Sequence, residues 1–160
     1  MGTTYTLLRD GNKYYLYGIQ LGDMYKSGCP YAIGKAYYGD LSGCKDINKA
    51  SCYAFSSLRN YMYYAVGGIV YRVNLSEKPL KAEKQLALNG ETITMMKFNL
   101  YQNGASQHDY DLVVGSENNG VGTLRIYDGM VKEGDFATVK PTTYTGFGKI
   151  VDATYRERTN

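Results

Sequence analysis

The only histidine in the chain, His108, stands in SQHDYD (106–111) among acidic neighbours, a setting in which imidazole acts as a base or metal ligand. Strand alternation would put Asp109 and Asp111 on one face and His108 on the other. No serine or cysteine nucleophile is placed beside it, so the expected setting is a solvated loop. The carboxylates Asp109, Asp111, Glu117 and Asp128 raise the question of calcium, which takes about six to eight oxygens. Their spacing does not follow D-x-D-x-D-G, and ENNG (117–120) reads better as a turn in which Asn and Gly take left-handed conformations. A glycosidase would need two carboxyl groups at a set separation; Glu91, Glu117, Asp111 and Asp128 are available, but no pair is singled out. VGSENNGVG (114–122) lacks the Lys-Ser/Thr ending and the helix of a phosphate-binding loop. These patterns supply no expected catalytic residue, metal ligand or cofactor.

Cys29, Cys44 and Cys52 make an odd count without a CxxC pair, too few for a zinc site with one histidine. A Cys44–Cys52 or Cys29–Cys44 disulfide would suit an oxidising compartment, while buried free thiols are the expectation. SGC (27–29) resembles the end of a lipoprotein cleavage site, yet DMYK (23–26) stands where an apolar run belongs.

The tyrosines are the more informative chemistry: 18 of them, against 4 Phe and no Trp. A phenol offers a flat apolar face and a hydroxyl, which suits sugar rings and protein interfaces alike. The doublets Tyr14-Tyr15, Tyr37-Tyr38 and Tyr63-Tyr64 place one ring on each side of a strand, so about half of these rings belong to a core. Tyr37, Tyr38 and Tyr101 fall in expected loops and are the candidate ligand-binding residues. Most of the others are expected to fill the space between blades.

The elements that must position these rings are short antiparallel strands. Tyr favours strands, and 19 Gly with 3 Pro favour the positive-φ turns between them. Residues 61–75 read as a hairpin through Gly67-Gly68, 110–128 as one with a longer turn, and 5–21 as one through Asp10-Gly11-Asn12. The stretches 50–55 and 93–98 read as strands preceding two of these hairpins. A weaker strand at 83–88 follows one, and 150–155 reads as a closing strand. Equivalent positions recur roughly every 45 to 55 residues, close to the period of propeller blades. The expected fold is all-β, antiparallel, in four-stranded blade-like units, an incomplete β-propeller-like architecture. About three units fit in a single domain over 1–160, fewer than the ~4–8 blades of a closed ring. Missing blades leave strand edges open to another part of a longer chain or to a second copy, the two favoured resolutions, beside which an open sandwich stands as the third.

The net charge of +3 is spread along the chain and makes no footprint for nucleic acid. No apolar stretch approaches the ~20 residues of a membrane span, and no signal peptide is expected in MGTTYT.

YYAVGGIVYRVNL (63–75), ITMMKF (93–98), GTLRIYD (122–128) and GFGKIVD (146–152) resemble the C-terminal region of the PKD-like family lipoproteins of Bacteroidetes. The resemblance covers about residues 45 to 155 and is weaker over the first 40. It implies the propeller-like C-terminal part of a longer cell-envelope protein, located at the envelope or outside the cell. It further implies a non-catalytic binding or scaffolding module of a glycan-utilisation system, with a glycan or an envelope protein as partner. That family's signal sequence, lipidated cysteine and PKD-like segment find no counterpart among these residues, so the expected relation is that of a C-terminal fragment or a truncated relative. Two other classes stand beside this one: an interaction module completed by self-association, and a carbohydrate-active enzyme.

Overall fold

Asn119 and Gly120 both take positive φ, 49° and 80°, which closes a two-residue hairpin whose twist matches its strands. Gly67 (φ 56°) and Gly11 (φ 58°) open the turns of the other two expected hairpins. The computed structural model describes residues 3–20, 34–56, 60–103, 106–130 and 136–154. Among them the chain is all-β, with one 3-10 turn at Ile47–Lys49 and almost no other helix.

The strands form three antiparallel sheets, each a meander in chain order. The first holds β1 (Thr3–Asp10), β2 (Lys13–Gln20) and β3 (Gly34–Asp40). The middle sheet holds β4 (Cys52–Ser56), β5 (Tyr61–Val66), β6 (Ile69–Asn74) and β7 (Ala82–Ala87). The third holds β8 (Thr92–Asn103), β9 (Ser106–Asn118), β10 (Val121–Tyr127) and β11 (Thr142–Phe147). Among the described residues no sheet closes on itself.

Two cores lie between these sheets, and the middle sheet serves both. Along β5, Tyr63 and Ala65 join Phe98, Leu112 and Val114 of the third sheet, while Met62 and Tyr64 join Leu16 of the first. That explains why YMYYAV is a continuous apolar run rather than an alternating one: both of its faces are covered. The expected division of a Tyr doublet is realised in Tyr63 and Tyr64, but both rings are buried, since each side has its own core. Aromatic pairs span the sheets, with Tyr5 stacked on Phe55 at 4.5 Å and Tyr63 tilted against Phe98 at 5.7 Å.

The β5–β6 turn also ties the middle sheet to the third. Its carbonyls at Gly68 and Gly67 accept from the Leu88 and Ile93 amides, each at 2.8 Å, and so hold the β7–β8 connection. Ser51 Oγ adds a second tie by donating to the Ile93 carbonyl at 2.9 Å.

Three expectations require correction. Of the expected strand 150–155, residues 150–154 are not a strand and Tyr155 lies outside the described residues; the last described strand is β11, and the chain then crosses the outer face of the third sheet. Thr94 Oγ1 donates to the Ile150 carbonyl at 2.6 Å, and Lys97 meets Asp152 at 3.4 Å. The apolar alternation of 150–155 therefore reflects packing on a sheet face, where Ile150 lies over Gly115, and not strand pairing. Secondly, Tyr37, Tyr38 and Tyr101 do not lie in loops. The backbone of the first two belongs to β3, with Tyr37 opposite Tyr17, and Tyr101 belongs to β8. Thirdly, His108 lies in β9 opposite Tyr101, because the β8–β9 ladder runs on to Asn103 and Ser106. The side chains of these four residues, of Asp109, and all of Cys29, lie outside the described residues. Cys44 and Cys52 are free thiols in different cores.

Candidate functional site

The connection after β3 is built on a period of three. The amides of Cys44, Ile47 and Ala50 donate to the carbonyls of Leu41, Cys44 and Ile47, making consecutive three-residue turns. Leu41, Cys44 and Ile47 consequently all point down into the core between the first and middle sheets. Asp46 adopts a left-handed backbone (φ 54°) where the 3-10 turn begins. Two further bonds fix the loop: Leu41 N donates to the Tyr14 carbonyl at 2.8 Å, and the buried Tyr64 hydroxyl donates to the Lys45 carbonyl at 2.7 Å.

With its apolar residues turned inward, the loop presents Ser42, Asp46 and Asn48 to a pocket of about 370 Å³. The opposite wall is the β1–β2 hairpin, through Arg9, Asn12 and Tyr14. Arg9 is positioned by its own turn, donating from Nε to the Gly11 carbonyl at 2.9 Å, and its guanidinium carbon lies 6.0 Å from the Tyr14 ring centre. Asp46 pairs with Lys49 at 3.1 Å in an exposed contact. The site thus combines one cation, one carboxylate, two amides, a hydroxyl and one phenol ring. Hydrogen-bonding and charged groups beside an aromatic ring can contact the polar and the apolar parts of a small molecule alike.

Cys44 closes the floor but is a poor nucleophile. Burial, followed by the nearby charge of Asp40, pushes its thiol up to about 11, so the reactive thiolate is scarce at neutral pH. Asp40 itself is held below the usual carboxylate range by hydrogen bonds from the Ser42 hydroxyl and amide.

The acidic residues singled out in the sequence form other groupings. Glu91 is bound to Arg125, 2.9 Å from its Nη2, while Arg125 Nη1 donates to Ser116 Oγ at 2.9 Å. With the Arg and Glu side chains only 17% and 15% exposed, this trio is a buried, mutually satisfied polar cluster. Asp111 and Asp128 share a hydrogen bond at the far end of β9–β10. Burial above all, then that bond and the Asp128 charge, pushes the Asp111 carboxyl up to about 6. Glu117 sits at the opposite end of β9, by the Asn119-Gly120 turn, so these three do not converge. No group of three metal-ligating side chains occurs among the described residues.

No protein-family model, curated protein or solved structure matches this chain. The pocket therefore stands on its own geometry. Sequence reasoning missed it because its walls meet only in the folded chain. Asp10-Gly11-Asn12 was legible as a hairpin tip, but nothing local says that SGCKDIN (42–48) faces it. The period of Leu41, Cys44 and Ile47 is the one signal that could have shown which loop residues turn outward.

Proposed function

We propose that this chain is a non-catalytic binding or scaffolding module of a cell-envelope glycan-utilisation system, its three meanders being successive blades of a propeller-like assembly. The observation that carries the proposal is the pocket between the β1–β2 hairpin and the 42–48 loop. Arg9, Asn12, Ser42, Asp46 and Asn48 line it together with Tyr14, and hydrogen-bonding groups beside an aromatic ring are what a sugar contacts. The doubly buried middle sheet supports the blade reading, because a blade packs on both its faces.

The acidic groupings favour binding over turnover. Asp111 and Asp128 are hydrogen-bonded to each other, whereas glycosidase carboxyl groups stand about 5 Å or more apart to admit the substrate. Glu91 is occupied by Arg125. The envelope setting and the Bacteroidetes kinship rest on the four motifs quoted above.

Calorimetric titration with a panel of neutral and acidic mono- and oligosaccharides tests the proposal. At least one sugar binds the wild type, and Tyr14→Ala and Asn48→Ala each weaken it about tenfold or more, equivalent to about 1.4 kcal/mol. Binding that survives both substitutions, or no binding by any sugar, overturns the assignment of this pocket.

A further inference from the structure

Sheet edges offer unpaired backbone donors and acceptors, and charged residues on an edge discourage other strands from joining it. Most edges of this chain are guarded in that way. β1 carries Arg9 and Asp10, β3 carries Lys35 and Asp40, β7 carries Glu83 and Lys84, and β8 carries Lys97. β4 is uncharged but lies against β8, with the neighbouring Ser51 hydroxyl bound to the Ile93 carbonyl. β11 differs from all of these. Its sequence TTYTGF holds no charge, all six of its residues are exposed, and among the described residues it is hydrogen-bonded on one side only, to β10.

β11 itself carries exposed apolar side chains. Tyr144 (51%) and Phe147 (49%) are two of the five large apolar residues that stand open to solvent among those described. We propose that β11 is the pairing edge for a second copy of this chain, the two strands meeting antiparallel about a two-fold axis through Tyr144. The third sheets of both copies then form one continuous sheet.

Neutrality is what selects a second copy as the occupant. A two-fold axis sets each residue against its own type or a near neighbour, so a charged edge strand brings like charges together and a neutral one does not. In this register Tyr144 faces its counterpart, an aromatic cross-strand pair, and Thr143 faces the other copy's Thr145, a pair suited to hydroxyl bonding. Directly opposed residues keep the same face, so the outer surfaces of both third sheets remain on one side. Gly146 (φ 96°) and the bulge at Gly122/Thr123 confine regular pairing to the part of β11 around Tyr144. An interface of this size predicts a reversible, concentration-dependent dimer. It lies on the third sheet, away from the pocket of the first, so sugar binding and dimerisation fail or succeed separately.

The test is sedimentation velocity on the full chain over a wide concentration range, with Tyr144→Lys, Tyr144→Asp and their equimolar mixture. The Tyr144 side chain is half exposed, and far-ultraviolet circular dichroism checks that each variant keeps the fold. The expected result is a wild-type dimer, about tenfold or greater weakening in each variant alone, and recovery in the mixture, where lysine opposes aspartate. A wild type that stays monomeric, a dimer indifferent to either variant, or a mixture that fails to recover overturns the proposal.

Discussion

The two glycines of the β5–β6 turn make opposite demands on the chain, and replacing each with alanine separates them. Gly67 has the left-handed backbone (φ 56°), yet a β-carbon there meets nothing within 4 Å. Its replacement incurs only the conformational cost of a left-handed alanine, about 1–2 kcal/mol. At Gly68 a β-carbon would lie 2.3 Å from the Leu88 carbonyl oxygen and 2.6 Å from that of Glu91. Both are backbone atoms and cannot rotate away. Relief requires moving the 88–91 connection, which strains or breaks the bonds from Leu88 N to Gly68 O and from Ile93 N to Gly67 O, each 2.8 Å long. Two bonds at about 1 kcal/mol each, with overpacking strain of about 1–3 kcal/mol, give a loss of roughly 3–5 kcal/mol. For a chain of this length that lowers the melting temperature by roughly 10–15 °C for Gly68→Ala, against roughly 3–6 °C for Gly67→Ala. Thermal melts followed by circular dichroism, with urea titrations to give free energies, measure both. If Gly67→Ala proves as damaging as Gly68→Ala, conformational preference outweighs close approach at this turn and the reasoning is wrong.

The folded state raises the Asp111 carboxyl to about 6, above its unfolded value near 4, so the folded chain holds that proton more tightly. The resulting stabilisation is complete below about pH 4 and is lost as pH rises towards and past 6. The wild type should therefore melt lower at pH 7.5 than at pH 5, and Asp111→Asn should remove most of that difference. Solvent screening of this partly exposed group reduces the effect to about 1 kcal/mol, or roughly 2–4 °C; a slope unchanged in the Asn variant would refute the assignment. Ser56 Oγ is buried with no hydrogen-bond partner among the described residues. Ser56→Ala should be neutral or stabilising by up to about 1 kcal/mol in urea titration, and a clear loss would mean that the hydroxyl has a partner.

Much of the architecture could be read directly where local chemistry and pairing agree. Gly11, Gly67 and Asn119-Gly120 mark the hairpin turns because few residues tolerate their backbone angles, and the strands between them follow from β-branched and aromatic runs. The errors lie where tertiary partners override local preference. NLYQNGASQH (99–108) reads as a loop by composition, but pairing carries β8 and β9 on to Asn103 and Ser106. Thr142–Phe147, between Pro141 and Gly148, gives little local sign of a strand and becomes one by completing the third sheet. IVDATY (150–155) has the alternation of a strand, yet Ile150 is held by a sheet face. The pocket was the least legible feature, since only the turns at Cys44 and Ile47 bring the 42–48 loop over the β1–β2 hairpin.

The doubly covered middle sheet removes the device that normally prevents strands from slipping. In a sheet with one wet face, a one-residue shift drives polar side chains into the core and is rejected for that reason. In β5 the same shift would merely exchange Tyr63 with Tyr64 between two oily environments. What rejects it is shape. On β4 the small Cys52 and Ala54 face the third sheet, while the bulky Tyr53 and Phe55 face the first. In register, Ala65 lies opposite Cys52 and Tyr63 opposite Ala54, so small residues leave room for a large ring. The Tyr64 hydroxyl adds a directional check, because only the native alignment lets it reach the Lys45 carbonyl. Apolar-for-apolar exchanges in β4 and β5, usually the mildest class of core mutation, are here the ones that threaten a unique alignment of the chain.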